Sequence, residues 1–168
     1  MINDNLVAAA EPRVFANPGE LVGAVGSRLG ASEYRPIEQD QINAFAAVTG
    51  DRQWIHTDPD RAASGPFGGP IAHGMLTLSL GIVLLDEVLR VDGVNLVLNK
   101  GFDRVRFAMP VPAGARVRLV ADLLEVKRHA HGFTEAILAV ALEIEDQTRP
   151  AYTANTRLLY REVDPCES

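Results

Sequence analysis

A chain of 168 residues, 47% hydrophobic and 23% charged, is long enough to bury one good core and short enough to be one domain. Sixteen basic against twenty-two acidic side chains give a net charge of -6, which argues against a sequence-independent grip on nucleic acid or on an anionic membrane. The single cysteine, Cys166, excludes a disulfide framework and a thiolate metal set, and it fits a reducing cytoplasm.

In chain order, MINDNLVAAAEP carries Asp4 where a secretory signal wants positive charge, so residues 1–12 read as a flexible tail. Asn17-Pro18-Gly19-Glu20 predicts an N-cap, a proline at the first helical position and a returning acid. They open a short helix over Leu21, Val22 and Val25 that Gly30 ends. An extended piece follows at 32–37. Glu38 and Asp40 then precede Ile42, Phe45 and Ala46, an apolar stripe at helical spacing with Gly50 as its stop. Asp58-Pro59 repeats the cap-plus-proline signature and starts another short helix through Ala62 and Ala63.

Between those two helices lies TGDRQWIH, with an acid and an imidazole five positions apart. On a helix Asp51 and His56 would project about 140° apart, and on a strand from opposite faces. Only a turn lets them meet, and a link between a helix end and a helix start supplies one.

GPFGGP at 65–70 is a breaker cluster and predicts a loop. From Ile71 to Arg90 the chain is apolar on nearly all sides, which predicts a helix buried all round. Its longest apolar run, MLTLSLGIVLL, falls short of the roughly 20 residues needed to span a bilayer, so no membrane insertion is expected. The period then changes to two. Asn95 to Phe107 reads as a strand. Val117, Leu119, Ala121 and Leu123 share one face of a second, Leu138, Val140, Leu142 and Ile144 one face of a third, and Tyr152 to Tyr160 mark a fourth. Short connections at 110–114, 129–132 and 146–150 read as antiparallel hairpins. A sheet with an apolar face and a helix needing cover satisfy each other. The expected fold is therefore α+β, one domain over 13–163 with an antiparallel sheet curled around a long buried central helix and a short tail at 164–168.

TGDRQWIH, GPFGGPIAHGMLTLSL and VRFAMPVPAGARVR together resemble the MaoC-like dehydratases. These are single hotdog domains related to the (R)-specific enoyl-CoA hydratases, and the likeness is to the branch typified by nodulation protein N. The resemblance implies a hotdog homodimer that adds water to a trans-2-enoyl-CoA, with Asp51 and His56 as the catalytic pair and no cofactor. The chemistry agrees. Such a hydration needs a group to take a proton from water, a group to give one to carbon 2, and a donor for the enolate oxygen. The backbone N–H of Gly74, at the start of the apolar helix and without a side chain in the way, is the candidate donor. The hydratases usually read G-D-x-N-P-L-H, whereas here Gln53-Trp54-Ile55 lengthens the amide and replaces a proline by an aromatic, and Ile82 stands where they carry a small hydroxyl residue.

Substrate contact is assigned to Gln53, Trp54, His73 and Arg106, each beside a plainer reading. Trp54 is most simply a packing residue, His73 a core or capping histidine, and Arg106, with Arg104, Arg116 and Arg118, part of a solvated sheet face whose members can meet the phosphates of coenzyme A. His129 and His131, without a third ligand nearby, read as solvated turn residues, and no metal is assigned. Two other readings stand beside the hydratase: a hotdog acyl-CoA thioesterase and a non-catalytic module that binds acyl thioesters. A homodimer joined edge to edge is expected because a sheet curled round one helix leaves two open edges, with the Val117 to Leu123 alternation setting the register.

Overall fold

The computed structural model describes residues 11–163. The expected tails, apart from Glu11 and Pro12, lie outside the described residues, and Cys166 with them. Strand β1 (Arg13–Phe15) leads to a 3-10 helix at Pro18–Ala24, then to β2 (Arg28–Ala31) and β3 (Arg35–Pro36). The Asn17 side chain makes no cap bond; Glu20 reaches back instead and accepts from the Ala16 N–H at 2.9 Å. The helix stops at Ala24, short of the expected Gly30, because Gly26 and Leu123 are already tied by a 2.8 Å backbone bond that turns the chain into the sheet. Gly30 lies inside β2, where the pairing shifts register.

Helix α1 (Gln39–Thr49) begins with a capping box between Glu38 and Gln41 and ends at Gly50, whose φ of 82° is the left-handed turn that favours glycine. The segment expected to be an irregular link holds one turn of helix, α2 (Trp54–Thr57), before α3 (Pro59–Ala63), where the Asp58 carboxylate accepts from the Arg61 N–H at 3.0 Å. Helix α4 (Gly74–Leu85) is shorter than the 71–90 run. Ile71 stays outside it because its carbonyl accepts from the His56 ring rather than from an N–H of the helix, whose first bond runs from the Thr77 N–H to the His73 carbonyl. At the other end the chain becomes β4 (Leu89–Val91), which pairs in parallel with β1. Nor is α4 buried all round: Leu76, Leu78, Leu84 and Leu85 pack inward, while Met75 and Val83 are exposed.

The remaining strands are β5 (Val94–Phe107), β6 (Arg116–Arg128), β7 (Phe133–Ile144) and β8 (Tyr152–Glu162). Pairing runs β2-β6-β7-β8-β5, all antiparallel, with β3 also on β6. The alternation read from the sequence is the one observed. Val117, Leu119, Ala121 and Leu123, with Leu138 and Leu142, line the buried face against α4. This is the antiparallel sheet wrapped round a helix expected of a hotdog domain.

Two corrections follow from the strand order. The 129–132 and 146–150 connections are hairpins, but 108–115 carries the chain from β5, at one edge, across to β6. Strand β6 is interior, so the Val117 to Leu123 alternation cannot set the register of an edge contact; β5 is the long edge strand. No helix among the described residues is long and apolar enough to cross a membrane.

Candidate active site

The crossover at 108–115 builds the site. Its Val111 carbonyl accepts from the Ala72 N–H at 2.8 Å, its Ala113 N–H donates to the Pro70 carbonyl at 2.9 Å, and Ile71 bridges to Pro112. The stretch 70–73 is thus held between the crossover and α2. On the α2 side Ile71 uses both backbone groups: its N–H donates to the Ile55 carbonyl at 3.0 Å, and its carbonyl accepts from the His56 ring at Nδ1, 2.7 Å away. A carbonyl only accepts, so Nδ1 carries the hydrogen and Nε2 of a neutral His56 keeps its lone pair. The Gln39 amide donates to the His56 carbonyl at 2.7 Å and fixes the same residue from α1.

His56 and His73 are both buried, and their rings stack with centroids 3.8 Å apart. His73 sits at the N-cap of α4 but makes no side-chain cap bond there. Its Nε2 donates instead to the Asp51 backbone carbonyl at 2.9 Å, while Nδ1 is buried without a partner among the described residues. The turn that the five-residue spacing demanded is therefore present: a carboxylate oxygen of Asp51 and one ring nitrogen each of His56 and His73 lie within 4.8 Å of one another. That set offers one oxygen and two ring nitrogens to a cation, on residues other than the His129 and His131 weighed from the sequence.

His56 and Gly74 open on the same pocket of about 330 Å³, whose walls include Thr77, Phe107, Met109 and Val111. Gly74 is the first residue of α4, where N–H groups have no intrahelical acceptor and the helix dipole is positive. A side chain there would press on the Phe107 ring, 3.1 Å from the Cβ position. The Thr77 hydroxyl donates its hydrogen to the Gly74 carbonyl at 2.7 Å, so toward the pocket it can only accept.

Of the seven expected site residues, Asp51, His56 and His73 cluster and Gly74 shares the His56 pocket, whose walls do not include Asp51 or His73; the other three lie elsewhere. Gln53 is an exposed N-cap of α2. Trp54 packs over Gly65 of the breaker loop and under the Arg61 guanidinium, 4.5 Å from its centroid, so it pins α2 and α3 together rather than lining the pocket. Arg106 points to the opposite face of the sheet from Phe107. His129 is exposed, as expected of a solvated turn residue, and it also bonds at 2.9 Å to the buried carboxylate of Glu135. The sequence reading missed Ile71, Phe107 and Val111 as site residues. The one available signal was the VRFAMPVP stretch, whose place over α4 depends on a crossover that looked like a hairpin.

Comparison with known proteins adds to this geometry. The MaoC like domain matches residues 20–143. A 3-hydroxyacyl-thioester dehydratase Z of Mycobacterium tuberculosis is 42% identical over 88% of this chain and 98% of its own. Nodulation protein N of Rhizobium leguminosarum is 43% identical over 78% of this chain and 83% of its own. Among solved structures, the (R)-hydratase of A. caviae involved in PHA biosynthesis superposes with a TM-score of 0.64 at 27% identity, covering 80% of this chain and 94% of that one.

Proposed function

The chain belongs to the MaoC-like domain family, and on that premise we propose that it is a hydro-lyase adding water reversibly to trans-2-enoyl-CoA to give (R)-3-hydroxyacyl-CoA. The observation that carries the reading is the Asp51 carboxylate held within 4.8 Å of a His56 ring nitrogen, at a pocket His56 shares with the start of α4. A separation of that size accommodates one water hydrogen-bonded to both groups.

The enoyl thioester enters with its carbonyl oxygen at the Gly74 N–H and carbon 3 facing that water. As the water oxygen bonds to carbon 3, its proton passes to the Asp51/His56 pair, the π electrons move onto the thioester oxygen, and Gly74 stabilises the enolate. The pair then returns a proton to carbon 2. Both new bonds form on one face, because both groups stand on one side of the double bond. With Nδ1 bonded to Ile71, Nε2 is the only His56 atom free to exchange that proton. No metal or nicotinamide enters this sequence. The working unit is a homodimer in which the β5 edges pair over Val94–Lys100, where Leu96, Val97 and Leu98 stand exposed. Its compartment is the cytoplasm.

The test is hydration of crotonyl-CoA in heavy water with a chelator present. The expected product is (R)-3-hydroxybutyryl-CoA with one deuterium at carbon 2, entered on the same face as the hydroxyl. Release of free thiol without hydration identifies a thioesterase instead, and tight binding without turnover identifies a binding module.

A further inference from the structure

Behind the catalytic pocket, on the outer face of the sheet, lies a groove of about 400 Å³ walled by Arg28, Arg104, Arg106, Thr153 and Asn155. Its floor includes Ala139 and Ala141, whose small side chains leave the space open. Arg28 is held by a two-bonded ion pair to Asp122, at 2.6 and 3.3 Å. Arg104 and Arg106 have no ion pair or hydrogen bond among the described residues, and the neighbouring acid, Asp103, is taken by Arg157 at 2.6 Å. Two guanidinium groups without an acid partner among the described residues thus line one groove in a chain of net charge -6.

The backbone is bent to put them there. Pairing of β5 with β8 slips between Asp103 and Arg106, and Arg104 adopts φ 55°. That left-handed conformation is one that a residue with a side chain seldom adopts. The extra residue of the bulge brings Arg104 onto the outer face that Asp103 and Arg106 already share. Arg106 and Phe107 are successive residues of one strand, so they point to opposite faces, one into the groove and the other into the His56 pocket. A dimer paired over Val94–Lys100 leaves this end of the β5 edge open for a ligand arm to cross.

We propose that this groove is the phosphate subsite of the thioester carrier, with Arg104 and Arg106 donating to the clustered phosphates of the 3′-phospho-ADP part of coenzyme A while the acyl end enters the His56 pocket. Planar guanidinium forks match phosphate oxygens two bonds at a time, and Thr153 and Asn155 add neutral donors. The assignment rests on the enoyl-thioester reading above and extends it to the carrier.

The deciding comparison sets the wild type against an Arg104→Gln/Arg106→Gln variant on three crotonyl thioesters: of coenzyme A, of acyl carrier protein, and of N-acetylcysteamine, which has no phosphate. The expected result is a rise in KM for the CoA ester of at least about tenfold, the effect of losing a hydrogen bond to a charged group. The kcat stays unchanged, and so do both constants for the N-acetylcysteamine ester. An equal loss with the phosphate-free ester overturns the subsite and makes the arginines structural. Loss confined to the carrier-protein ester also overturns it, in favour of an acidic protein surface. Failure of the wild type on all three sinks the thioester reading itself. Calorimetry with adenosine 3′,5′-bisphosphate then still decides the groove: binding that the variant lacks supports it, and equal or absent binding in both overturns it.

Discussion

The Ile71 carbonyl takes the Nδ1 hydrogen of His56, and that one backbone contact leaves Nε2 as the nitrogen with a free lone pair for the proposed proton transfer. His73 acts one step further back. Its ring supports His56 from the stacked position, and its Nε2 holds the Asp51 carbonyl 22 residues away in sequence. A His73→Phe variant keeps an aromatic ring under His56 but loses the donor. A neutral hydrogen bond is worth about 0.5–1.5 kcal/mol, so kcat should fall roughly two- to tenfold with KM unchanged. An unchanged kcat, or a change in KM alone, removes His73 from the positioning of Asp51. Asp51 and His56 could be singled out because the stretch around them resembles a known family; their spacing and the flanking helix signals showed only that a turn could bring them together. The His73 bond was not legible, since nothing local ties a residue before α4 to the loop after α1.

Among elements, α4 and β8 meet at Gly81, where a side chain would collide with the buried Tyr152 hydroxyl. Gly81→Ala should lower stability by about 1–3 kcal/mol, as overpacked cores do. Adding Tyr152→Phe removes the obstructing oxygen, so the double variant should recover most of that loss in urea denaturation; simple additivity of the two changes would refute the contact. A second tie joins β5, β8 and β7. Glu135, buried on the outer face, accepts from His129 at 2.9 Å, Arg157 at 3.1 Å and Lys100 at 3.2 Å. Burial alone would push its pKa up, but these three donors outweigh that and hold it at about 2. A carboxyl whose folded pKa is depressed gives stability that is present above its ordinary value of 4.5 and lost as pH falls toward about 2. The wild type should therefore lose thermal stability between those values more steeply than Glu135→Gln; parallel curves contradict the assignment. Alternating residues made β6, β7 and β8 readable, but Glu135 breaks the alternation rule. It sits on the polar face and is buried, which only the partners from β5 and β8 explain.

For the whole molecule, the sheet and its helix follow from apolar periodicity, whereas strand order does not. Short connections suggested hairpins throughout, and the 108–115 crossover obeys the same length rule while joining strands that do not pair. That topology makes β5 the long edge and moves the expected dimer contact onto Leu96, Val97 and Leu98. Sedimentation equilibrium should give a mass near twice 18.2 kDa, and Val97→Lys, an edge charge of the kind that blocks strand pairing, should shift it toward one chain. A wild-type monomer that still turns over enoyl thioesters contradicts the β5 contact.

The central claim is that Asp51 and His56 together move the proton of one water. Its most direct measurement is the hydration rate of crotonyl-CoA by Asp51→Asn and His56→Gln beside the wild type, with folding checked by circular dichroism. A lost acid-base group costs about 10²–10⁴-fold, so each variant should fall by at least a hundredfold, and the double variant should be little worse than either single one because the two act as a unit. Variants that fold normally and keep wild-type rates would contradict the account.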